Sequence, residues 1–167
     1  MTNAKMLPAA LVLAILALPV SVAAGAEPKA LVFDLELVDT SQEGLHPDHP
    51  GRLERVTAVL RDGLRSSGRY DVIGIHDTPL AAEVPASLEG CNGCERDLGR
   101  RAGADIVVTG VIRKISTLIL NIRLIMRDVG TGEIVGFGFA DIRGDNERSW
   151  QRGVEWLLRH RLLSEEP

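Results

Sequence analysis

Residues 118–143 constrain the fold of this chain more than any other stretch. Leu118, Leu120, Ile122, Leu124 and Met126 recur at every second position against Asn121, Arg123 and Arg127, with Ile119 and Ile125 softening the second face. A period of two predicts a strand with one face on a core and the other largely wet. A second strand-like run, residues 133–143, follows after Asp128-Val129-Gly130-Thr131-Gly132, whose glycines can take positive φ, so the pair reads as an antiparallel hairpin with a short irregular loop. Residues 105–116 form a third strand-like run directly before it. A three-stranded meander of this length needs helices or further strands on its apolar face.

The upstream sequence supplies them. Residues 29–40 alternate and predict a strand with Leu31, Phe33, Leu35 and Leu37 on one face. After a loop over residues 41–48, Asp48 or His49 can cap a helix in which Pro50 costs little in the first turn. Leu53, Val56, Leu60 and Leu64 recur there at helical spacing, and Gly68 is placed to stop the helix. Residues 70–75 predict a short strand, residues 77–89 an extended loop, and residues 94–104 a short helix with Leu98 and Ala102 inward. Asn146 can cap a terminal helix on which Trp150, Val154, Leu157 and Leu158 share a stripe, and residues 164–167 read as a frayed tail. The order β-α-β-α-β-β-β-α predicts an α/β (α+β) domain with a single mixed sheet and helices packed against it.

Residues 1–26 read as a secretory signal peptide. Lys5 gives a weak positive start, residues 6–22 are almost wholly apolar, and Ala23-Ala24-Gly25-Ala26 offers a small-residue cleavage site near Ala26. Pro8 and Pro19 bracket the apolar core and hold it short of the roughly 20 residues that span a bilayer. The expected mature protein is therefore periplasmic, without stable membrane insertion, and residues 27–167 suffice for a single domain. The formal net charge is −4, aromatic residues make up 4% and no lysine cluster exists. That balance argues against a nucleic-acid surface, which needs cations to displace counterions from phosphates.

Two segments, "LGRRAGADIVVTGVIRKIS" and "LIMRDVGTGEIV", resemble the N-terminal domain of TolB and the related periplasmic part of CsgG. The shared pattern is a helix ending in Gly103-Ala104-Asp105, a strand carrying Gly110, and a turn with Asp128 and Thr131-Gly132-Glu133. The resemblance spans residues 30–163 and implies a TolB N-terminal-like fold. The β-propeller of TolB and the lipid anchor and membrane hairpins of CsgG are not expected here, so neither parent activity transfers whole. "FDLELVDTS", "CNGCERDLG", "IRKIS" and "DIRGDNERSWQRGVEWLLR" resemble more closely a family of secreted proteobacterial proteins of unknown function. Some relatives are encoded beside quinoprotein alcohol dehydrogenases, which implies a periplasmic accessory role with a protein partner.

Three segments are candidate sites. Cys91 and Cys94, the only cysteines, open a helix, where backbone amides can stabilise a thiolate. A proline-bearing loop stands where a thioredoxin-like enzyme would have a strand, and Glu95 stands where haem attachment needs His. In an oxidising compartment the default is a disulfide; a redox-active pair or a metal-delivery site is the alternative. His46, Asp48 and His49, with Asp39 nearby in sequence, carry imidazole and carboxylate suited to zinc or copper, although their prolines equally mark a turn. Arg143, Asp145, Asn146, Trp150 and Arg152 form a polar segment readable as a docking patch. The structural account of the same residues has Asp145 or Asn146 as a helix cap, Trp150 in the core, and Arg143 paired with an acid such as Asp34. His76 and His160 are expected at the surface, and Gly136 and Gly138 to allow close backbone approach or a bulge. No catalytic grouping or phosphate loop is present, and the expectation is a non-enzymatic interaction domain without a cofactor.

Overall fold

The computed structural model describes residues 26–44 and 46–164. The expected signal peptide, apart from Ala26, and the last three residues of the tail lie outside them. A six-stranded mixed sheet is built from β1 (Lys29–Val32), β2 (Glu36–Asp39), β3 (Asp71–Gly74), β4 (Ile106–Lys114), β5 (Ile119–Asp128) and β6 (Ile134–Arg143). The strand order is β3-β1-β4-β5-β6, with β2 pairing further along β4. β1 runs parallel to both β3 and β4, β2 runs parallel to β4, and β4-β5-β6 is the expected antiparallel meander.

Helices α1 (His49–Ser66) and α3 (Glu147–Leu157) cover one face, and α2 (Cys94–Arg101) lies on the other. The larger core packs Val56, Leu60 and Leu64 of α1 and Trp150, Val154 and Leu157 of α3 on Leu120, Ile122, Leu124 and Met126 of β5. The smaller core joins Leu98 of α2 to Leu31, Phe33 and Val107. It includes no residue of β5 or β6, so the hairpin's second face is left without a helix. α3 approaches the sheet closely because glycines stand at the contact. A β-carbon on Gly153 would lie 2.7 Å from Ile122 Cδ1, and one on Gly138 would lie 3.0 Å from Leu157 Cδ2. The expected close approach at Gly138 is thus met.

The first expected strand is two strands. Val32 lies opposite Val108 and Glu36 opposite Val111, so one strand spends an extra residue over the interval. Such a bulge reverses which residues face which side. Leu31 and Phe33 enter the smaller core, whereas Leu35 enters the larger core with Leu37 packed against it, correcting the expectation that all four share a face. The irregular backbone is held by Thr57 of α1, whose hydroxyl accepts the Leu35 N–H at 3.0 Å. Leu118 also departs from expectation: it sits in the β4–β5 turn, 73% exposed, beyond the last core position of the alternating run. The loop expected over residues 77–89 carries short 3-10 turns at Ile75–Asp77 and Ala81–Glu83.

Candidate interaction site

The loop before α1 and the end of β6 meet in a buried polar cluster. His49 and Arg52 start α1, and both reach the carboxylate of Asp145. His49 Nε2 lies 2.7 Å from Asp145 Oδ2, and Arg52 Nη1 donates to Asp145 Oδ1. Trp150, fully buried, stacks on His49 at 5.7 Å, while the Arg52 guanidinium stands 5.0 Å from the Trp150 ring. The other His49 nitrogen, Nδ1, accepts the His46 N–H at 3.1 Å. Both ring nitrogens of His49 are therefore engaged within the protein and its side chain is enclosed. The structure does not bring His46, Asp48 and His49 together as the metal reading expects: His46 and Asp48 point to solvent while His49 faces inward.

The cluster also divides the expected docking set. Trp150 and Asp145 belong to the interior, which removes their side chains from any docking surface. Asn146 is the N-cap of α3, its Oδ1 accepting the Ser149 N–H at 3.1 Å. Arg143 and Arg152 present their side chains outward, as does Asn146, whose amide oxygen is committed to the cap. Arg143 does not pair with Asp34, which is engaged instead by Arg61 and His76 from the opposite end of the sheet order.

A second buried charge ties down the loop after β2. Lys114 is 3% exposed, with its ammonium 2.8 Å from Ser41 Oγ, 3.1 Å from Glu43 and 3.3 Å from Asp39. Burial pulls its pKa down, but hydrogen bonds and charge from Glu43 and Asp39 outweigh it and hold the group above the usual lysine value. Both acids are lowered in return, Asp39 chiefly by the Ser41 hydroxyl and Glu43 chiefly by the Thr117 hydroxyl. Asp39 is thus a structural anchor.

Cys91 and Cys94 are joined in a disulfide, with Cα atoms 5.7 Å apart. The bridge closes the turn that leads into α2 through Gly93, whose φ is +93°. Beneath it lies a cleft of about 140 Å³ whose charged walls are largely paired: Glu95 with Arg127 at 3.5 Å, and Glu89 with Arg123 at 2.7 Å and Arg113 at 2.8 Å. Cys91, Cys94 and Glu95 form the one cluster with metal-ligand proximity among the described residues. Both sulfurs are spent in the bond, and the Glu95 carboxylate, 3.6 Å from Cys91 Sγ, opposes the negative charge a nucleophilic thiolate requires.

The remaining site is the outer edge of the hairpin. β6 pairs with β5 and ends the sheet. Ile134, Val135, Phe137 and Phe139 along it are 47–54% exposed. A groove of about 480 Å³ runs between this edge and α3, lined by residues 139 to 143 of β6 and by Arg152 and Trp156 of α3. The arginines divide sharply by position. Among the described residues, each arginine before residue 143 donates its guanidinium to a protein acceptor, whereas Arg143, Arg148, Arg152, Arg159 and Arg161 donate to none. Arg161 rests 5.5 Å from the Trp156 ring. Sequence reasoning found Arg143 and Arg152 but missed Phe137, Phe139 and Trp156. The strand parity of the two phenylalanines was a usable signal, since they alternate with the core-facing Gly138 and Ile142.

A mixed sheet of this topology, with helices unequally divided between its faces, defines a small layered α/β domain. Solved structures of like fold include the PelC dodecamer from Paraburkholderia phytofirmans, at 15% identity and TM-score 0.51, covering 80% of this chain and 84% of that one. The LpoB C-terminal domain from Salmonella enterica matches at 18% identity and TM-score 0.51, covering 71% and 86%. TolB from Acinetobacter baumannii is similar at 15% identity and TM-score 0.44, over 79% of this chain and 28% of that one. No curated protein matches. The chain belongs to the DUF3280 family, described as "Protein of unknown function (DUF2380)", which matches residues 28–162.

Proposed function

We propose that this chain is a non-enzymatic periplasmic accessory domain that docks a protein partner through the edge of β6 and the adjoining face of α3. The observation that carries the reading is the row of Ile134, Val135, Phe137 and Phe139, roughly half exposed on a strand with no neighbouring strand on one side among the described residues. An apolar row on an unpaired edge is a liability in a free monomer and is ordinarily covered by a partner. An exported location follows from the leader-like residues 1–26, and among the described residues no helix is long and apolar enough to cross a membrane. The gene-neighbour habit of the secreted family that the sequence resembles directs the partner search to an exported quinoprotein dehydrogenase. Against a redox role for Cys91 and Cys94 stands the carboxylate of Glu95 beside the sulfur.

The test is affinity purification of the tagged mature protein from periplasm after mild crosslinking. The wild type is expected to retain one specific protein, and a Phe137→Ser, Phe139→Ser variant with unchanged circular dichroism to retain at least ten-fold less. Absence of a retained partner, or equal retention by the variant, refutes the reading.

A further inference from the structure

Resting on that reading, we propose that the groove between β6 and α3 binds an extended, acidic segment of the partner as a seventh strand of the sheet. Three observations point to this mode and to this chemistry. Successive residues of a strand point to opposite faces, so a groove touched by every residue from 139 to 143 must run along the backbone edge itself. That edge carries neither proline nor lysine, the usual guards against strand addition, and its only charged residues are Asp141 and Arg143 near one end. An incoming strand would therefore find unpaired backbone groups beside an apolar row, with Trp156 of α3 as the wall of the groove.

Charge selects the occupant. Arg143 and Arg152 line the groove, and Arg148 stands one helical turn before Arg152. Arg161 continues the basic side beyond α3, where a β-carbon on Gly138 of β6 would lie 3.3 Å from Arg161 Cβ, whereas Arg159 lines a separate groove with Val59 and Asp62 of α1. None of these guanidiniums donates to a protein acceptor among the described residues, and Glu147, the nearest acid on the first turn, is taken by Arg55 at 2.7 Å. Asp141 is the other acid of the patch, leaving it basic on a chain whose formal net charge is −4. A second copy of this chain is the other candidate for a sheet edge. A two-fold pairing of β6 with itself brings the same surface of both copies together and so crowds these arginines against one another. An acidic partner meets them with opposite charge.

The probe is an acetylated, amidated decapeptide of alternating valine and glutamate, titrated into the mature, disulfide-bonded protein and followed by amide chemical shifts and hydrogen exchange at low and high salt. The expected result is shifts and new exchange protection confined to residues 134–143 with a shift of the Trp156 indole. Affinity should fall at least ten-fold in an Arg143→Glu, Arg152→Glu variant, and at least ten-fold for a peptide N-methylated at alternate residues. The matching valine–lysine peptide should not bind. No shift at about 1 mM peptide, comparable to the weakest affinities of specific recognition, overturns the proposal. Equal binding by polyglutamate or by the N-methylated peptide overturns strand addition. A sedimenting dimer of the protein alone, with β6 protected, overturns the acidic partner in favour of a second copy. The docking reading fails separately: a partner retained through Phe137 and Phe139 while the peptide tests fail leaves the interaction standing and removes this mode of it.

Discussion

Asp145→Ala removes the acceptor at the centre of the buried cluster. Its carboxylate side chain is 5% exposed and takes one bond from His49 at 2.7 Å and another from Arg52, whose side chain is 8% exposed. Deleting it leaves a guanidinium enclosed against Trp150 without its hydrogen-bonded counter-charge, and His49 Nε2 without its partner. Breaking a buried pair from one side costs about 3–5 kcal/mol. Against a total stability of about 5–15 kcal/mol for a domain, that is about a fifth of the margin or more. For a domain of this size each kcal/mol shifts Tm by roughly 3–5 °C, so the expected drop is about 10–25 °C. Urea unfolding followed by tryptophan fluorescence measures it, because Trp150 is fully buried and reports on the cluster. The companion variant, His49→Phe with Arg52→Met and Asp145→Leu, removes every charge together and is expected to lose less than Asp145→Ala alone. Arg52 Nε and Trp150 Nε1 already lack an acceptor among the described residues, so the polar network adds specificity of docking between α1 and α3 more than raw stability. A loss below about 1 kcal/mol for Asp145→Ala, or a triple variant worse than the single one, refutes this reasoning.

Gly153→Ala is expected to destabilise by about 1–2 kcal/mol in thermal melts, since overpacking against Ile122 and Ile142 outweighs a helix-propensity gain of about 1 kcal/mol; an unchanged or higher Tm contradicts the close approach of α3. The strap over residues 39–43 is expected to loosen in acid. Asp39 and Glu43 titrate below their unfolded values, so the stability they give is complete above pH about 5 and is lost as pH falls through their lower folded values; amide exchange in residues 39–43 between pH 2 and 5 reads it, and a transition well above pH 5 contradicts it. The Cys91→Ser, Cys94→Ser variant is expected to fold and to lose about 2 kcal/mol in urea melts, the entropy of so short a loop, with partner retention unchanged; loss of the partner on removing the bridge revives a thiol role.

The meander was plain in the sequence because a period of two with a polar second face survives as a pattern, and Leu120 through Met126 carry it without interruption. The α3 cap and stripe were legible for a similar reason: Asn146, Trp150, Val154 and Leu157 stand at fixed helical offsets. The bulge after Val32 was not, because residues 31, 33, 35 and 37 alternate perfectly as letters while the backbone inserts one residue relative to β4. At the candidate site, Arg143 and Arg152 could be picked out as residue types. That Asp145 and Trp150 turn inward depended on His49 and Arg52, some 90 residues away in the chain, and no local pattern announces such a meeting. The shortage of acceptors around the last arginines among the described residues is a property of the whole ion-pair arrangement and becomes visible only in three dimensions.

The bulge between Val32 and Leu35 has a consequence for how this protein can change over time. On either side of it, substitutions of like size are tolerable, because each half of the strand answers to its own core. A single-residue insertion or deletion is different: it shifts Leu31 and Phe33 out of phase with Leu35 and Leu37, and one of the two cores receives the polar positions instead. The N-terminal strand therefore acts as a reading frame shared by two separately packed interiors. Its length is held more strictly than its letters, and Thr57 on α1 is the residue that keeps count.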